Sequence, residues 1–365
     1  MPILSEKILR PGARIRVLVV DDSVVIRRLV THALEEDPSL EVVGAAANGS
    51  IALARIPQLN PDVVTLDIEM PEMDGLETLR RIRKDFPYLR TIMFSTLTER
   101  GAAVTMEALT LGADDYVAKA ANAGSLDRSM ANLRLQLIPK IKQFFRLETV
   151  PAASPQTPPT ANGLCPKPLP RRAWTPQVVA IGVSTGGPTA LGAMIPQFPA
   201  TFPLPILIVQ HMPPLFTRFL AERLQASTPL KVEEAAEGSP VQPGKVLIAP
   251  GDYHMKVSGK EPAAVVTLDQ SPPENSCRPA VDVLFRSVST VYGADAILVI
   301  LTGMGQDGLR GVEALKAGGA YVIAQDEASS VVWGMPGAVA GAGLADCVLP
   351  LDRIVPEILK RVQRG

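Results

Sequence analysis

Between Pro151 and Pro176 the chain reads PAASPQTPPTANGLCPKPLPRRAWTP, with eight prolines and almost no periodic apolar pattern. Proline fixes φ and removes a backbone donor, so such a stretch neither continues a helix nor sits in a central strand. It reads as an extended, semi-rigid linker. A chain of 365 residues interrupted in this way folds as two units, and each flank is long enough to bury a core of its own. The expected divisions are a leader at 1–13, a first domain at 14–146, the linker at 147–175 and a second domain at 176–365.

Both flanks alternate apolar runs with amphipathic ones. In the first, strand-like runs at Val17–Val20, Val42–Ala46, Val63–Leu66, Thr91–Phe94 and Tyr116–Ala118 make five βα units, which implies a parallel sheet. Leu126, Met130, Leu133, Leu137, Ile141 and Phe144 recur at helical spacing and predict a closing helix over Ser125–Phe145. In the second, strand-like runs are Val178–Ile181, Ile206–Val209, Val246–Ile248, Ala296–Leu301 and Tyr321–Ala324, with helices at Leu215–Leu224 and Val281–Val291 and a hairpin between Val246 and Leu268. The fold class is therefore α/β, with two doubly wound parallel-sheet domains joined by a proline-rich linker.

Composition narrows the function. With 47% hydrophobic and 20% charged residues the chain should fold, and a net charge of −1 without a long basic run excludes a nucleic-acid or membrane surface as the main partner. The first residues lack the apolar core of a secretory signal, and no run reaches membrane-spanning length. Cys165, Cys277 and Cys347 are widely spaced without C-x-x-C pairing, which fits a reducing cytoplasm and gives no cysteine metal site.

In the second domain, Gly182-Val-Ser-Thr-Gly-Gly187 joins a strand-like run to a helix-like run opened by Pro188. Ser184 thus lies on a sharp strand-to-helix corner that fits the G-x-S-x-G pattern. Such a corner exposes a hydroxyl beside unpaired N–H groups, as attack on a carbonyl requires. A phosphate-cradling glycine loop is the alternative, although serine at 184 breaks the G-x-G-x-x-G spacing. A relay needs a base and an acid as well. His32 belongs to a first-domain helix, which leaves His211 and His254, and Asp252, Asp307 and Asp326 all follow strands. Spacing does not choose among them.

In the first domain, Asp21 and Asp22 follow the first strand, Asp67 the third, Ser95 the fourth and Lys119 the fifth, so all five face the C-terminal sheet edge where open α/β sheets bind ligands. Clustered carboxylates repel unless a hard cation joins them, and Mg²⁺ takes a few carboxylates with other oxygens. Taken singly, such residues often do no more than cap helices. The set DDS at 21–23, LDIEMPEMDG at 66–75, FST at 94–96 and YVAK at 116–119 resembles the receiver domain of two-component response regulators, over about residues 14–140. That resemblance implies a flavodoxin-like fold and Asp67 as phosphorylation site. It further implies Mg²⁺ on Asp21, Asp22, Asp67 and the Glu69 backbone carbonyl, Lys119 on the phosphoryl group and Ser95 as switch hydroxyl. Receivers usually carry proline after the lysine; here Ala120 stands there, and a cis bond at Lys119-Ala120 would cost roughly 3 kcal/mol.

After the linker, GVSTGGP, VQHMPPLFTRFLAERL, GKVLIAPGDYHM, RPAVDVLFRSV, ILTGMGQDG and AQDEASSVVWGMP together resemble the catalytic domain of chemotaxis protein-glutamate methylesterases, a Rossmann-like α/β domain. The resemblance implies Ser184 as nucleophile, His211 as general base and acid, Asp307 as its orienting carboxylate, and an oxyanion site from the Met304 N–H with Thr185 nearby. His254, Arg278 and Asp282 lie in the same blocks without an implied role. Met212, Met304 and Met335 read either as groove lining or as packing. The implied activity is cytoplasmic hydrolysis of glutamyl methyl esters on methyl-accepting chemoreceptors, with deamidation of receptor glutamines and no cofactor for the ester step. A chemotaxis histidine kinase would phosphorylate Asp67 and move the receiver off the esterase face. A non-enzymatic output module, or an esterase acting outside chemotaxis, is the alternative.

Overall fold

Val178–Val183 is buried at every position, a pattern that only a strand covered on both faces can satisfy. The structure, a computed structural model, describes residues 7–10, 12–96, 98–119, 126–147, 174–260 and 262–363. By its internal contacts the chain divides into two compact units, Met1–Pro158 and Pro159–Gly365. Of the expected linker, only residues 147, 174 and 175 fall among the described ones.

The first unit runs β1 (Lys7–Leu9), β2 (Ile15–Val20), α1 (Val24–Glu35), β3 (Leu40–Ala46), α2 (Gly49–Leu59), β4 (Val63–Asp67) and α3 (Gly75–Asp85). It continues with β5 (Arg90–Ser95), α4 (Glu99–Thr110), β6 (Asp115–Ala118), α5 (Leu126–Lys142) and β7 (Phe145–Leu147). Five strands form one parallel sheet in the order β3-β2-β4-β5-β6, as the alternating pattern implied. The order reverses beside β2, so β2 and β4 open a crevice at their C-terminal ends. The segment expected as a leader supplies β1, which pairs with β7 outside that sheet.

The second unit runs β8 (Val178–Val183), α6 (Gly187–Met194), β9 (Ile206–Gln210), α7 (Phe216–Gln225), β10 (Lys231–Glu234), β11 (Lys245–Ile248), β12 (His254–Ser258) and β13 (Val265–Asp269). It closes with α8 (Val281–Tyr292), β14 (Ala296–Ile300), α9 (Leu309–Gly318), β15 (Tyr321–Gln325), α10 (Met335–Gly341), β16 (Cys347–Leu349) and α11 (Leu351–Val362). Seven parallel strands lie in the order β10-β11-β9-β8-β14-β15-β16, and β12-β13 is the expected antiparallel hairpin. Val178, Ala180, Leu207, Leu298 and Ile300 share one face of this sheet with Leu284, Phe285 and Val288 of α8. Burying a side chain of this kind fully stabilises the fold by roughly 1.5–3 kcal/mol. The chain leaves β8 toward β9 on one side and returns on the other as β14. Ser184 follows β8 at this switch point, where α/β sheets bind ligands. Among the described residues no helix is long and apolar enough to cross a membrane.

Candidate functional site

Register brings Ser184 and His211 together before any side chain is considered. Val183 pairs with Gln210 across β8 and β9, and the His211 N–H donates to the Val183 carbonyl at 3.2 Å. On the other flank the Ser184 N–H donates to Thr302 O at 3.0 Å. The turn after Ser184 needs its glycines. Gly186 caps α6 at φ 78°, a left-handed conformation that side chains disfavour. A Cβ on Gly187 would run into Gln210 Oε1, and one on Gly303 would press on Ser184 Cβ and Met335 S.

Gln210, itself buried, donates from Nε2 to Ser184 O at 2.9 Å and to His211 O at 3.3 Å. One amide therefore braces the backbone of both residues. His211 is the expected histidine that meets an expected acid: its Nε2 lies 2.8 Å from Asp307 Oδ2. Asp307 is buried and accepts three further bonds. The Val281 N–H reaches Oδ2 at 2.7 Å, while the Asp282 N–H and Asn275 Nδ2 reach Oδ1 at 3.0 and 2.8 Å. The carboxylate thus sits on the N-terminus of α8, where free N–H groups and the helix dipole favour negative charge.

Burial alone would raise the Asp307 carboxyl, but His211 and the two backbone donors hold it below the usual carboxylate range. Burial likewise opposes an imidazolium at His211. Asp307, with a contribution from the Cys277 thiol, outweighs it and lifts the His211 pKa to about 10. Among the described residues no hydrogen bond joins the Ser184 hydroxyl to His211 in this conformation. Nucleophile and base are commonly further apart in a resting enzyme than in its complex with substrate.

The other candidates separate clearly. Asp252 pairs with Arg278 at 2.5 Å, and Asp326 accepts from Ser329, so neither carboxylate is bonded to a histidine. His254 is buried and bonded to Ala280 N and Pro272 O. Asp282 accepts from Gly311 N at 2.7 Å and so joins α8 to the first turn of α9. Met212 and Met335 are packing residues, whereas Met304 is 44% exposed. Met304 follows Gly303, whose backbone is fixed by bonds to Val332 O and from Met335 N. Thr185 is buried, and its carbonyl accepts from Thr302 Oγ1 at 2.9 Å. Sequence reasoning missed Asn275 and Gln210. Asn275 has φ 52°, which suits asparagine better than most residues, but its partner Asp307 is 32 positions away.

In the first unit Asp21, Asp22 and Asp67 converge, with carboxylate oxygens all within 4.8 Å of one another. Lys119 Nζ bridges Asp21 at 3.0 Å and Asp67 at 2.7 Å. Asp22, Asp67, Glu69, Phe94, Thr96 and Lys119 line a cleft of about 260 Å³. Burial raises the Asp67 pKa to about 6; Lys119 works against the rise and Asp21 adds to it. For Lys119 burial favours the neutral amine, but the two aspartates win and raise its pKa. A Cβ on Gly75 would strike the Asp67 carbonyl, so the Asp74-Gly75 step lets α3 start against the end of β4. Asp74, in turn, caps α3 through Glu77 N at 2.8 Å.

Ser95 is buried at the end of β5, yet its hydroxyl turns into α4. It bonds to Gly101 O and Thr96 O at 3.2 Å each and accepts from Thr105 Oγ1 at 2.6 Å. Thr96 lines the cleft instead. His32 is exposed, with 3.6 Å between its Nε2 and Glu36, as expected of a surface position. The Lys119-Ala120 bond lies outside the described residues.

Comparison with known proteins gives a family for each unit. The family model described as CheB methylesterase matches residues 179–358, and the response regulator receiver domain matches residues 17–131. A protein-glutamate methylesterase/protein-glutamine glutaminase of Trichodesmium erythraeum (strain IMS101) is 49% identical over 356 residues, covering 96% of this chain and 99% of that protein. One of the same description from Nocardioides sp. (strain ATCC BAA-499 / JS614) is 52% identical, covering 97% and 96% respectively. Among solved structures, the CheB methylesterase catalytic domain of Thermotoga maritima superposes with a TM-score of 0.50 at 45% identity, covering 52% of this chain and all of that one.

Proposed function

The chain belongs to the CheB methylesterase family and carries a response regulator receiver domain, and on that footing we propose that it is a phosphorylation-activated protein-glutamate methylesterase. Its substrates are glutamyl methyl esters of methyl-accepting chemoreceptors, hydrolysed in the cytoplasm to glutamate and methanol, and receptor glutamines, deamidated at the same site. The receiver occupies 14–146 and the catalytic domain 176–365.

The observation that carries this reading is the 2.8 Å bond between His211 Nε2 and Asp307 beside the Ser184 corner. Asp307 holds one ring nitrogen, which leaves proton transfer to the other. His211 takes the Ser184 proton as the oxygen attacks the ester carbonyl, and an acyl-serine forms. The same proton goes to the departing methoxide, which leaves as methanol. Water then enters, gives its proton to His211 and splits the acyl-serine, regenerating the hydroxyl and releasing the glutamate side chain. The oxyanion formed in both steps is received by the Met304 N–H, with Thr185 nearby. Electrostatic stabilisation of this kind supplies about 3–4 kcal/mol per donor.

In the receiver, Asp67 is the phosphoryl acceptor. Asp21, Asp22 and Asp67, with the Glu69 carbonyl, would hold Mg²⁺: the three carboxylates converge as hard oxygen donors, Asp21 and Asp67 buried and Asp22 exposed. When bound, that ion neutralises charge on the transferring phosphoryl group. Lys119, 2.7 Å from Asp67, binds the phosphoryl oxygens in this reading, and Ser95 must leave Thr105 to reach them. The donor is a chemotaxis histidine kinase. Phosphorylation lifts a restraint that the receiver places on the esterase, through a shift between two states of the intact chain.

Methanol release tests the reading. The full-length chain, given a small acyl phosphate, should release methanol from membranes bearing a methyl-esterified chemoreceptor, and far less from a small unrelated methyl ester. No release from the receptor would leave the output-module alternative standing; equal turnover of both esters would favour an esterase of another kind.

A further inference from the structure

His254 has no place in the relay, yet it is fully buried with both ring nitrogens bonded. Nδ1 accepts the Ala280 N–H at 3.2 Å and Nε2 donates to Pro272 O at 3.2 Å. These contacts grip the two ends of the segment 272–280, which joins the β12-β13 hairpin to α8. At the tip of that segment Glu274 and Cys277 pair through backbone bonds in both directions, which projects Asn275. Asn275 then donates to Asp307 Oδ1 at 2.8 Å and to Asp282 Oδ2 at 3.0 Å. Ala280 is the N-cap residue of α8, and the next two N–H groups, of Val281 and Asp282, are the backbone donors to Asp307.

Three of the four bonds on Asp307 therefore come either from the segment 272–280, through Asn275, or from the two α8 residues that directly follow it, and both ends of that segment are held by one imidazole. Ala280 has no side-chain cap of its own. A helix start without one depends on outside partners to fix its first N–H groups. We propose that His254 is a positioning residue for the esterase: by holding Pro272 and Ala280 it keeps Asn275 and the α8 N-terminus on Asp307, and so keeps Asp307 on His211.

Arg278 pins the same segment from its flank. Its guanidinium bonds to Asp252 Oδ1, and its carbonyl accepts the Asp252 N–H at 3.2 Å. That contact is at the surface and does not touch the first turn of α8. His254 is the buried contact that reaches Ala280 directly. Outer-shell partners of this sort matter because a misplacement of about 1 Å at a reacting group costs on the order of 10²-fold in rate.

This inference rests on the Ser184, His211, Asp307 reading, and its test separates the two. Basal methanol release is measured with the full-length chain without phosphodonor, so that Asp67 chemistry does not enter. Rate against pH and melting temperature are recorded for the wild type, His254→Phe, His254→Asn, His254→Gln and Asp307→Ala. His254→Phe should lower kcat by roughly tenfold or more with KM within about twofold, consistent with loss of positioning rather than binding. It should also move the acid limb of kcat/KM to lower pH, because a loosened Asp307 no longer raises His211 as far. His254→Asn places an oxygen where Nδ1 accepts from Ala280 and should recover much of the rate. His254→Gln, which restores only the Pro272 side, should recover less.

A folded His254→Phe with an unmoved acid limb and unchanged kcat would overturn the proposal. Should the phenylalanine variant fail to fold, Asn and Gln variants equal to wild type would overturn it, and the order Asn above Gln supports it. If Asp307→Ala leaves both rate and acid limb unchanged, the relay itself is wrong and this proposal falls with it.

Discussion

Asp307 Oδ2 accepts from His211 Nε2 at 2.8 Å and from the Val281 N–H at 2.7 Å, so a single carboxylate oxygen ties His211 to the first turn of α8. The helix terminus keeps the carboxylate charged without competition from solvent, since Asp307 is only 2% exposed. Orientation of the imidazole is then a property of the fold rather than of a mobile side chain. Asp307→Ala should therefore lower kcat/KM by about 10⁴-fold, comparable to loss of a relay acid elsewhere, with little change in KM. Methanol release over receptor concentrations from below to above KM measures it.

The same bond fixes the sign of the pH response. A base works only when neutral, and Asp307 lifts the His211 pKa to about 10 from an ordinary 6.5. Activity should thus still be rising with pH above 6.5. Stability runs the other way: a raised histidine pKa contributes stability that is complete below 6.5 and lost as pH climbs toward the folded value. Rate–pH profiles and urea melts between pH 6 and 10 report the two opposing trends. A rate that is flat above pH 6.5 would contradict the first.

Gly303 offers a steric test. A Cβ there would press on Ser184 Cβ and on the Met335 sulfur, both held by surrounding bonds and packing. Gly303→Ala should cost at least tenfold in turnover through a displaced serine, given that shifts of about 1 Å cost on the order of 10²-fold. Full activity in this variant would mean that the corner is far softer than its packing implies.

Asp67 should behave as a nucleophile that loses potency in mild acid. Its pKa of about 6 means that acyl-phosphate labelling declines as pH falls through that value, and Asp67→Asn should abolish both labelling and activation. The stability sign also follows. A carboxyl raised from 3.8 in the folded state costs nothing below 3.8 and its full amount above about 6. Without divalent cation, Asp67→Asn should therefore stabilise the receiver at pH 7, by on the order of 1 kcal/mol or more, and leave it unchanged near pH 3.5. Chemical melts at the two pH values check this.

Much of this was legible beforehand because it is written in local pattern. Runs such as Val178–Ile181 and Val63–Leu66 are buried on both faces, and each proved to be a strand of a parallel sheet. Lys231–Glu234 carries no such signal, because it is a charged edge strand and Lys-Val-Glu-Glu contains no apolar run. Cys347–Leu349 was too short to show a period, and β1 and β7 are three residues each.

The sites divide in the same way. Residues on strand ends, such as Asp21, Asp67, Ser184 and His211, announce themselves by position. Spacing does not separate Asp307 from Asp252 and Asp326, because its bonds to Asn275 and Val281 join parts of the chain far apart in sequence. The aim of the Ser95 hydroxyl was likewise invisible: it depends on Thr105, one face of a helix that sequence places only roughly.

A fragment beginning near Pro176 should release methanol faster than the unphosphorylated full-length chain if the receiver restrains the esterase. The Thermotoga maritima catalytic domain, solved on its own at 45% identity, makes such a fragment a reasonable reagent. Equal rates for fragment and intact chain would remove the restraint.

The most direct test of the central claim is methanol release from a methyl-esterified chemoreceptor by phosphorylated wild type and by Ser184→Ala, at equal enzyme and equal phosphorylation of Asp67. Release by the alanine variant is expected to fall by about 10⁴-fold or more, with receptor binding retained. Release at the wild-type rate would show that Ser184 is not the nucleophile.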